Sequence, residues 1–365
     1  MGFRQGAVED LDLNPRFWRG KKVLLTGHTG FKGGWLALWL QTLGAKVAGY
    51  ALPPPTDPSF FDTARVAYAM TSNVGDVRDL ASLTAAVRQS DPEIIIHMAA
   101  QSLVRPSYED PVATYSTNVM GTVNVLEAAR AQSGVRAVVV VTSDKCYENT
   151  GAQREFREND RLGGHDPYSN SKACAELVAA AYRYSFFPGD GAAIATARAG
   201  NVIGGGDWSA DRLVPDAIRA FGAGRPVKLR YPHATRPWQH VLDPLAGYLL
   251  LAEKLCATPA DYAESWNFGP AQNQAMTVAD VIEAVAKKWD GGARWEQAPG
   301  THPHEAQYLG INAGKACARL GWTPRLDIAQ AIDWTVEWYR AWRDGADLRR
   351  LSEAQLDRYR ALATA

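Results

Sequence analysis

The chain has 365 residues, enough for one large or two fused domains with a substantial core. Lys plus Arg and Asp plus Glu number 39 each, so there is no net charge to attract nucleic acid or an anionic membrane, and phosphates must be bound locally. Cysteines 146, 174, 256 and 317 have no CxxC spacing, the N-terminus is polar, and no apolar run reaches the roughly 20 residues of a membrane helix, so a soluble cytoplasmic protein without structural zinc or disulfides is expected.

Residues 1–20 read as an irregular extension that Phe17 and Trp18 dock onto the body. Residues 21–26 form a short apolar strand, followed by a glycine-rich turn and an apolar helix over 35–43. A second strand over 46–52 stops at Pro53-Pro54-Pro55, because proline cannot donate to a ladder. Further strands are expected at 93–97, 135–142 and 192–198, separated by helices at 79–90, 111–132 and 167–187. Short apolar strands alternating with helices predict an α/β fold, a Rossmann-type doubly wound parallel sheet covered on both faces. From 201 to 240 Gly, Pro and Trp become frequent, which suits a loop-rich, substrate-facing region. Helices return at 211–222, 241–256, 277–289 and 328–343, and 344–365 reads as an amphipathic tail helix. With no repeat and no linker, the second domain is expected to interleave with the first. Residues 21–200 plus about 237–265 would form the dinucleotide domain, 201–236 and 266–345 the substrate domain, and 346–365 the tail.

Gly27-His28-Thr29-Gly30-Phe31-Lys32-Gly33 lies between a strand and a helix. Two of its glycines allow a tight turn and a close approach to a pyrophosphate, the third lets helix and strand pack, and the helix N-terminus faces the negative charge. Gly27, Thr29, Gly30, Phe31, Lys32 and Gly33 are therefore candidate cofactor contacts. The second strand ends in Tyr50-Ala51-Leu52, without the acidic residue that usually binds the ribose of NAD, while Lys32 or His28 suits a 2′-phosphate. These residues alone leave NAD and NADP both open.

Thr142-Ser143-Asp144-Lys145 follows the apolar run Ala137-Val138-Val139-Val140-Val141, and Tyr168 and Lys172 are four apart on one helix face. With the glycine turn, these segments resemble the extended short-chain dehydrogenase/reductase family. The resemblance implies NAD as cofactor, Asp76 and Val77 beside its adenine, and Ala99, Ala100 and Gln101 in a loop along it. It makes Tyr168 the base for a sugar hydroxyl, with Lys172 and the nicotinium favouring its phenolate and Ser143 bonding the oxygen that becomes a carbonyl. Bringing a tyrosine pKa of about 10 to neutrality takes roughly 4 kcal/mol. The pair Asp144-Lys145, where the dTDP-glucose branch has Asp-Glu, is similar to the CDP-glucose 4,6-dehydratases, as are GGHDPYSNSKACAELV (163–178), ARAGNVIGGGDW (197–208) and PHATRPWQHVLDPLAGYLLLAEKL (232–255).

In such a dehydratase, oxidation at C4 acidifies the C5 proton. A base removes it, an acid protonates the departing C6 hydroxyl, and hydride returns to C6. Asp144 protonated and Lys145 neutral is the uphill arrangement in water by roughly 9 kcal/mol, and a bound sugar favours both neutral forms. Adjacent strand residues point to opposite faces, so both reach the sugar only if the strand has ended. The same resemblance places Arg236 with His240 at a nucleotide pyrophosphate, Arg212 and Asn201 on the substrate, and Arg105 with Gln101 at the sugar. His97, inside an apolar strand, is expected in the core. The expected partner is a nucleotide-diphosphate sugar, with no metal. A homodimer pairing the helices near 111–132 and 167–187 is implied by analogy. Another nucleotide-sugar dehydratase, a 4-epimerase and a non-catalytic dinucleotide sensor are the alternatives.

Overall fold

Every second residue of the apolar runs packs to one side of a single sheet, and the residues between pack to the other. The computed structural model describes residues 13–151, 153–187, 192–271, 276–289, 292–300 and 307–362. The first five strands are β1 (Lys22–Thr26), β2 (Lys46–Ala51), β3 (Thr71–Val74), β4 (Ile94–His97) and β5 (Ala137–Val141). With β6 (Ala193–Arg198) and β7 (Ser265–Asn267) they form seven parallel strands in the order β7-β6-β5-β4-β1-β2-β3. Strands β4 and β5 are buried along their whole length, as a sheet covered on both faces requires. Val23, Leu25, Ile94, Ile96 and Val139 join the core beneath helices Phe31–Thr42 and Leu242–Ala257, whereas Leu24, Ile95, Val138 and Val140 join that beneath Leu80–Ser90 and Gly121–Arg130. The period of two along each strand thus builds two separate apolar layers.

Two departures from the sequence reading bear on the site. The helix expected over 111–132 begins at Pro111, capped by Asp110, but widens to a π turn over Ser116–Met120 before the regular helix Gly121–Arg130. That turn carries Asn118, whose amide accepts from the Gln101 N–H and donates to the Gln101 carbonyl and to Ser171. Strand β7 was not anticipated, because three residues carry no readable period; it is inserted after the long helix Leu242–Ala257 returns the chain to the first layer. The expected tail helix is Leu348–Ala361, capped by Asp347 and tied to the preceding helix Ile328–Arg343 by Trp338 Nε1 donating to Ser352 Oγ at 3.0 Å.

Residues 201–240 form a smaller layer of short ladders. Residues 202–203 pair with 239–240, 235–236 with 276–277, and Val227–Leu229 with Trp295–Gln297. The docking expected of Trp18 is present, on a short helix Pro15–Trp18 where irregular chain was expected, and residues 1–12 of the extension lie outside the described residues. Trp18 is fully buried, and Glu253 accepts from its indole at 2.6 Å and from the Asn14 N–H at 3.0 Å. No helix among the described residues is long and apolar enough to cross a membrane.

Candidate active site

The C-terminal ends of β1, β2, β4, β5 and β6 open into one cavity of about 1030 Å³. Its first wall is the glycine turn. Gly27 has φ +77°, and a Cβ there would lie 2.7 Å from the Ala99 nitrogen; a Cβ on Gly33 would lie 2.1 Å from the Gly27 oxygen. Gly30 caps the helix Phe31–Thr42 without a side chain, so the first N–H groups of that helix face the cavity. This backbone cradle fits a dinucleotide pyrophosphate. Beyond it, Asp76 and Val77 line the cavity; Arg78 grips the Asp76 carboxylate through its backbone and guanidinium and holds it below the usual range against the opposing effect of burial.

Both cations that could have favoured a 2′-phosphate point elsewhere. His28 is buried, with Nε2 2.7 Å from Ser72 Oγ, and burial lowers its pKa to about 4. Lys32 donates to the Tyr248 hydroxyl at 2.9 Å, 5.1 Å over that ring. Burial, helped by Arg212 and Lys172, lowers the Lys32 pKa to about 7, and Asp144 opposes. Lys32 therefore belongs to the reacting end of the cavity. Ala99, Ala100 and Gln101 line it too. The Gln101 side chain is occupied in shaping its own loop, accepting from the Leu103 N–H and donating to the Leu103 carbonyl and Thr114.

Strand β5 ends at Val141, and Asp144–Cys146 is a single 3₁₀ turn capped by Ser143 Oγ, which accepts from the Lys145 N–H at 3.2 Å. Because the strand has ended, Asp144 and Lys145 both line the cavity, with Lys145 Nζ 3.7 Å from Asp144 Oδ1. The Asp144 carboxylate is buried and accepts from Ser143 Oγ at 3.0 Å and Asn201 Nδ2 at 3.3 Å. A Cβ on Gly200 would lie 1.9 Å from Asp144 Oδ2, so only glycine admits the carboxylate here. Asn201 follows with φ +44°, the left-handed conformation that asparagine tolerates better than most residues.

Tyr168 and Lys172 lie one turn apart on the helix Pro167–Phe186, whose first turn is capped by Asp166. Burial pushes Tyr168 up to about 12; its hydrogen bond with Ser143 opposes this, Asp144 adds to it, and Arg212 opposes. Lys172 donates to the Val141 carbonyl at 3.3 Å. Burial lowers its pKa to about 8, against Glu176 and Cys146. His97 is a core residue, with Nδ1 2.7 Å from Thr26 Oγ1 and Nε2 3.2 Å from Thr122 Oγ1.

At the far wall Arg212 donates to Asp207 at 2.8 Å and to Ser102 at 3.0 Å. Arg105 and Arg230 share Asp211. Arg236 lines the cavity from its two-residue strand. His240 does not join it. It lies on the strand paired with 202–203, buried against Trp334, with Nδ1 accepting from the Leu242 N–H at 3.4 Å, and burial lowers its pKa to about 3. The phosphate role expected for His240 is thus corrected: the reversal between 236 and 239 turns it into the core.

Residues 24–335 match the family model described as GDP-mannose 4,6 dehydratase. The chain belongs to that family. Among relatives of these dehydratases, the CDP-glucose 4,6-dehydratase of Salmonella typhimurium (strain LT2) is 48% identical over 357 residues, 96% of this chain and 99% of that one. A UDP-glucose 4-epimerase of Mycolicibacterium smegmatis is 27% identical over 87% of this chain and 98% of its own. Among solved structures, MoeE5 in complex with UDP-glucose and NAD superposes with a TM-score of 0.75 at 25% identity, covering 88% of this chain and 99% of that one.

Three residues of this dehydratase site escaped the sequence reading. Asp207 fixes Arg212, Tyr248 receives Lys32, and Asn118 ties the 101 loop to Ser171. Asp207 stood inside a motif already singled out, GGGDW, and that was its only signal. Tyr248 lies within the quoted segment 232–255 and Asn118 in a helical run, and in both the helical context gives no sign that separates them from packing residues.

Proposed function

We propose that this protein converts CDP-glucose to CDP-4-keto-6-deoxyglucose with NAD as a recycled cofactor. The observation that carries this reading is the 3₁₀ turn after β5, which brings Asp144 and Lys145 together beside Ser143 and Tyr168. Epimerisation at C4 needs no second acid–base pair; loss of water across C5 and C6 does. The 48% identity to the Salmonella CDP-glucose enzyme over nearly the whole of both chains supports the choice of cytidine. The carboxylate Asp76, and the absence of His28 and Lys32 from that end, support NAD over NADP.

Bound NAD supplies the acceptor for hydride from C4 and its donor to C6. Tyr168, as phenolate, takes the C4 hydroxyl proton, and the Ser143 hydroxyl bonds the oxygen that becomes the carbonyl. Lys145, as the amine, removes the C5 proton that the carbonyl has acidified. Asp144, as the acid, protonates the C6 hydroxyl, which leaves as water. Lys145 then returns its proton to C5. The proton balance closes within the site, because the proton taken by Tyr168 equals the one Asp144 gives up. Ser143, bonded to Tyr168 and donating to Asp144 at 3.0 Å, is placed to pass it.

In the same reading, the seven-strand layer with about 237–265 holds the cofactor, and 201–236 with 266–345 holds the nucleotide sugar. The enzyme works in the cytoplasm as a homodimer. The direct test is incubation with NAD and, separately, CDP-, UDP- and dTDP-glucose, with products read by NMR. The expected result is a 4-keto-6-deoxy sugar formed fastest from CDP-glucose; a C4 epimer as the product would overturn the reading.

A further inference from the structure

With the sugar carbons at Ser143 and Tyr168, the rest of the substrate must run to the wall opposite the glycine turn. That wall is built from the first turn of the helix Leu213–Gly222, the strand Val227–Leu229 and Val278. Val214, Val227, Leu229 and Val278 supply apolar surface for a flat ring. The carboxylates lining the cavity are otherwise engaged. Asp76 is held by Arg78, Asp144 faces the reacting carbons, and Asp166 caps the helix that carries Tyr168. Asp207 is held by Arg212, and Asp211 by Arg105 and Arg230. Asp211 and Asp216 each keep an Oδ2 that accepts no hydrogen bond among the described residues, but Asp211 carries two guanidinium groups on its Oδ1 whereas Asp216, on the first turn of the wall helix beside Val214, carries that of Arg219. The Asp216 side chain is 38% exposed, and its partial burial still pushes its carboxyl above the usual range in spite of Arg219, so this second acceptor is open to the cavity.

We propose that Asp216 Oδ2 accepts a hydrogen bond from the exocyclic amino group of cytosine and is the residue that selects cytidine over uridine and thymidine sugars. This rests on the CDP-glucose reading given above. Uracil and thymine carry a carbonyl oxygen where cytosine carries the amino group. That oxygen would meet the carboxylate as acceptor against acceptor, leaving both without a donor in a partly desolvated site. The apolar walls accept any pyrimidine, so the discrimination falls to a group that distinguishes a donor from an acceptor.

The test compares the NAD-loaded wild type with Asp216→Asn and Asp216→Ala, reading kcat/KM for CDP-glucose and for UDP-glucose. The ratio of the two is taken within one preparation, so the fraction of correctly folded enzyme cancels. The Asn amide can turn its oxygen to cytosine or its NH₂ to uracil, and Ala removes the acceptor altogether. The CDP-to-UDP ratio is expected to fall by at least about 10-fold in both variants. Should turnover be too slow to read, the ratio of CDP to UDP dissociation constants by calorimetry reports the same preference. A ratio within about twofold of wild type would overturn the role of Asp216. A wild type that prefers UDP- or dTDP-glucose would instead strike at the CDP-glucose reading itself, so the two failures are distinguishable.

Discussion

Lys172 holds its charge in a place that disfavours it. The side chain is buried, and its pKa of about 8 lies below the free value of 10.5. Between those two pH values the unfolded chain binds the extra proton, so the contribution of Lys172 to stability rises with pH across that window. Below pH 8 the penalty is complete, at about 3 kcal/mol. Lys172→Met is therefore expected to raise the unfolding free energy at pH 7 by about 1–3 kcal/mol, with the gain gone near pH 10.5, while turnover falls by about two orders of magnitude or more. Urea titrations at the two pH values decide it; a destabilised Met variant at pH 7 would show that the charge is not under strain. At this scale the sequence is legible where chemistry is local: Ser143, Asp144 and Lys145 are consecutive, and Tyr168 and Lys172 are one helical turn apart. Asp207, Tyr248 and Asp216 acquire their roles only from what folding sets beside them. His240 shows the opposite failure, since its nearness to Arg236 in sequence says nothing about which way a two-residue strand faces.

Four elements that frame the site meet at one buried ion pair. Arg198, at the end of β6, bonds Glu176 at 2.7 Å, and the Tyr147 hydroxyl accepts from Arg198 at 2.7 Å. Glu176 lies one turn beyond Lys172 and accepts from Thr142, Thr196 and Ser265. Thr142 precedes Ser143, and Tyr147 follows the Asp144–Cys146 turn, so the pair sets β5, β6, the 3₁₀ turn and the Tyr168 helix relative to one another. Burial would push the Glu176 carboxyl up, but Arg198 and the hydroxyl donors hold it below the usual range. Removing one partner leaves the other charged and unpaired. Arg198→Met is expected to lower the unfolding free energy by about 3–5 kcal/mol, and adding Glu176→Leu to recover much of that loss. A single variant as stable as wild type would mean that the pair does not hold these elements. Such a network cannot be read along the chain, because its members come from positions 142, 147, 176, 196, 198 and 265.

At the scale of the whole molecule, the alternation of short strands and helices fixes the doubly wound sheet, and it was readable because each run is long enough to show a period. The polar edge strand β3 and the three-residue strand β7 were not, so the return of the chain to the first layer appears only in the fold. One surface stands out. Tyr108, Val112, Tyr115, Met120, Leu177, Tyr184 and Phe186 are exposed, and all lie on the helical segments 104–130 and 167–186. A stable interface buries about 1,200–2,000 Å² of accessible surface in total, and a second copy covering that face would take these side chains out of water. Light scattering is expected to give a dimer for the wild type and a monomer for Leu177→Glu; a monomeric wild type would remove the dimer from the account. The central claim concerns a full turnover, in which hydride leaves C4 and returns to C6 of the same sugar. It is tested most directly with CDP-glucose carrying deuterium at C4, the product being read by NMR. The account predicts deuterium at C6 of a 4-keto-6-deoxy sugar. Deuterium retained at C4 of an epimerised sugar would contradict it.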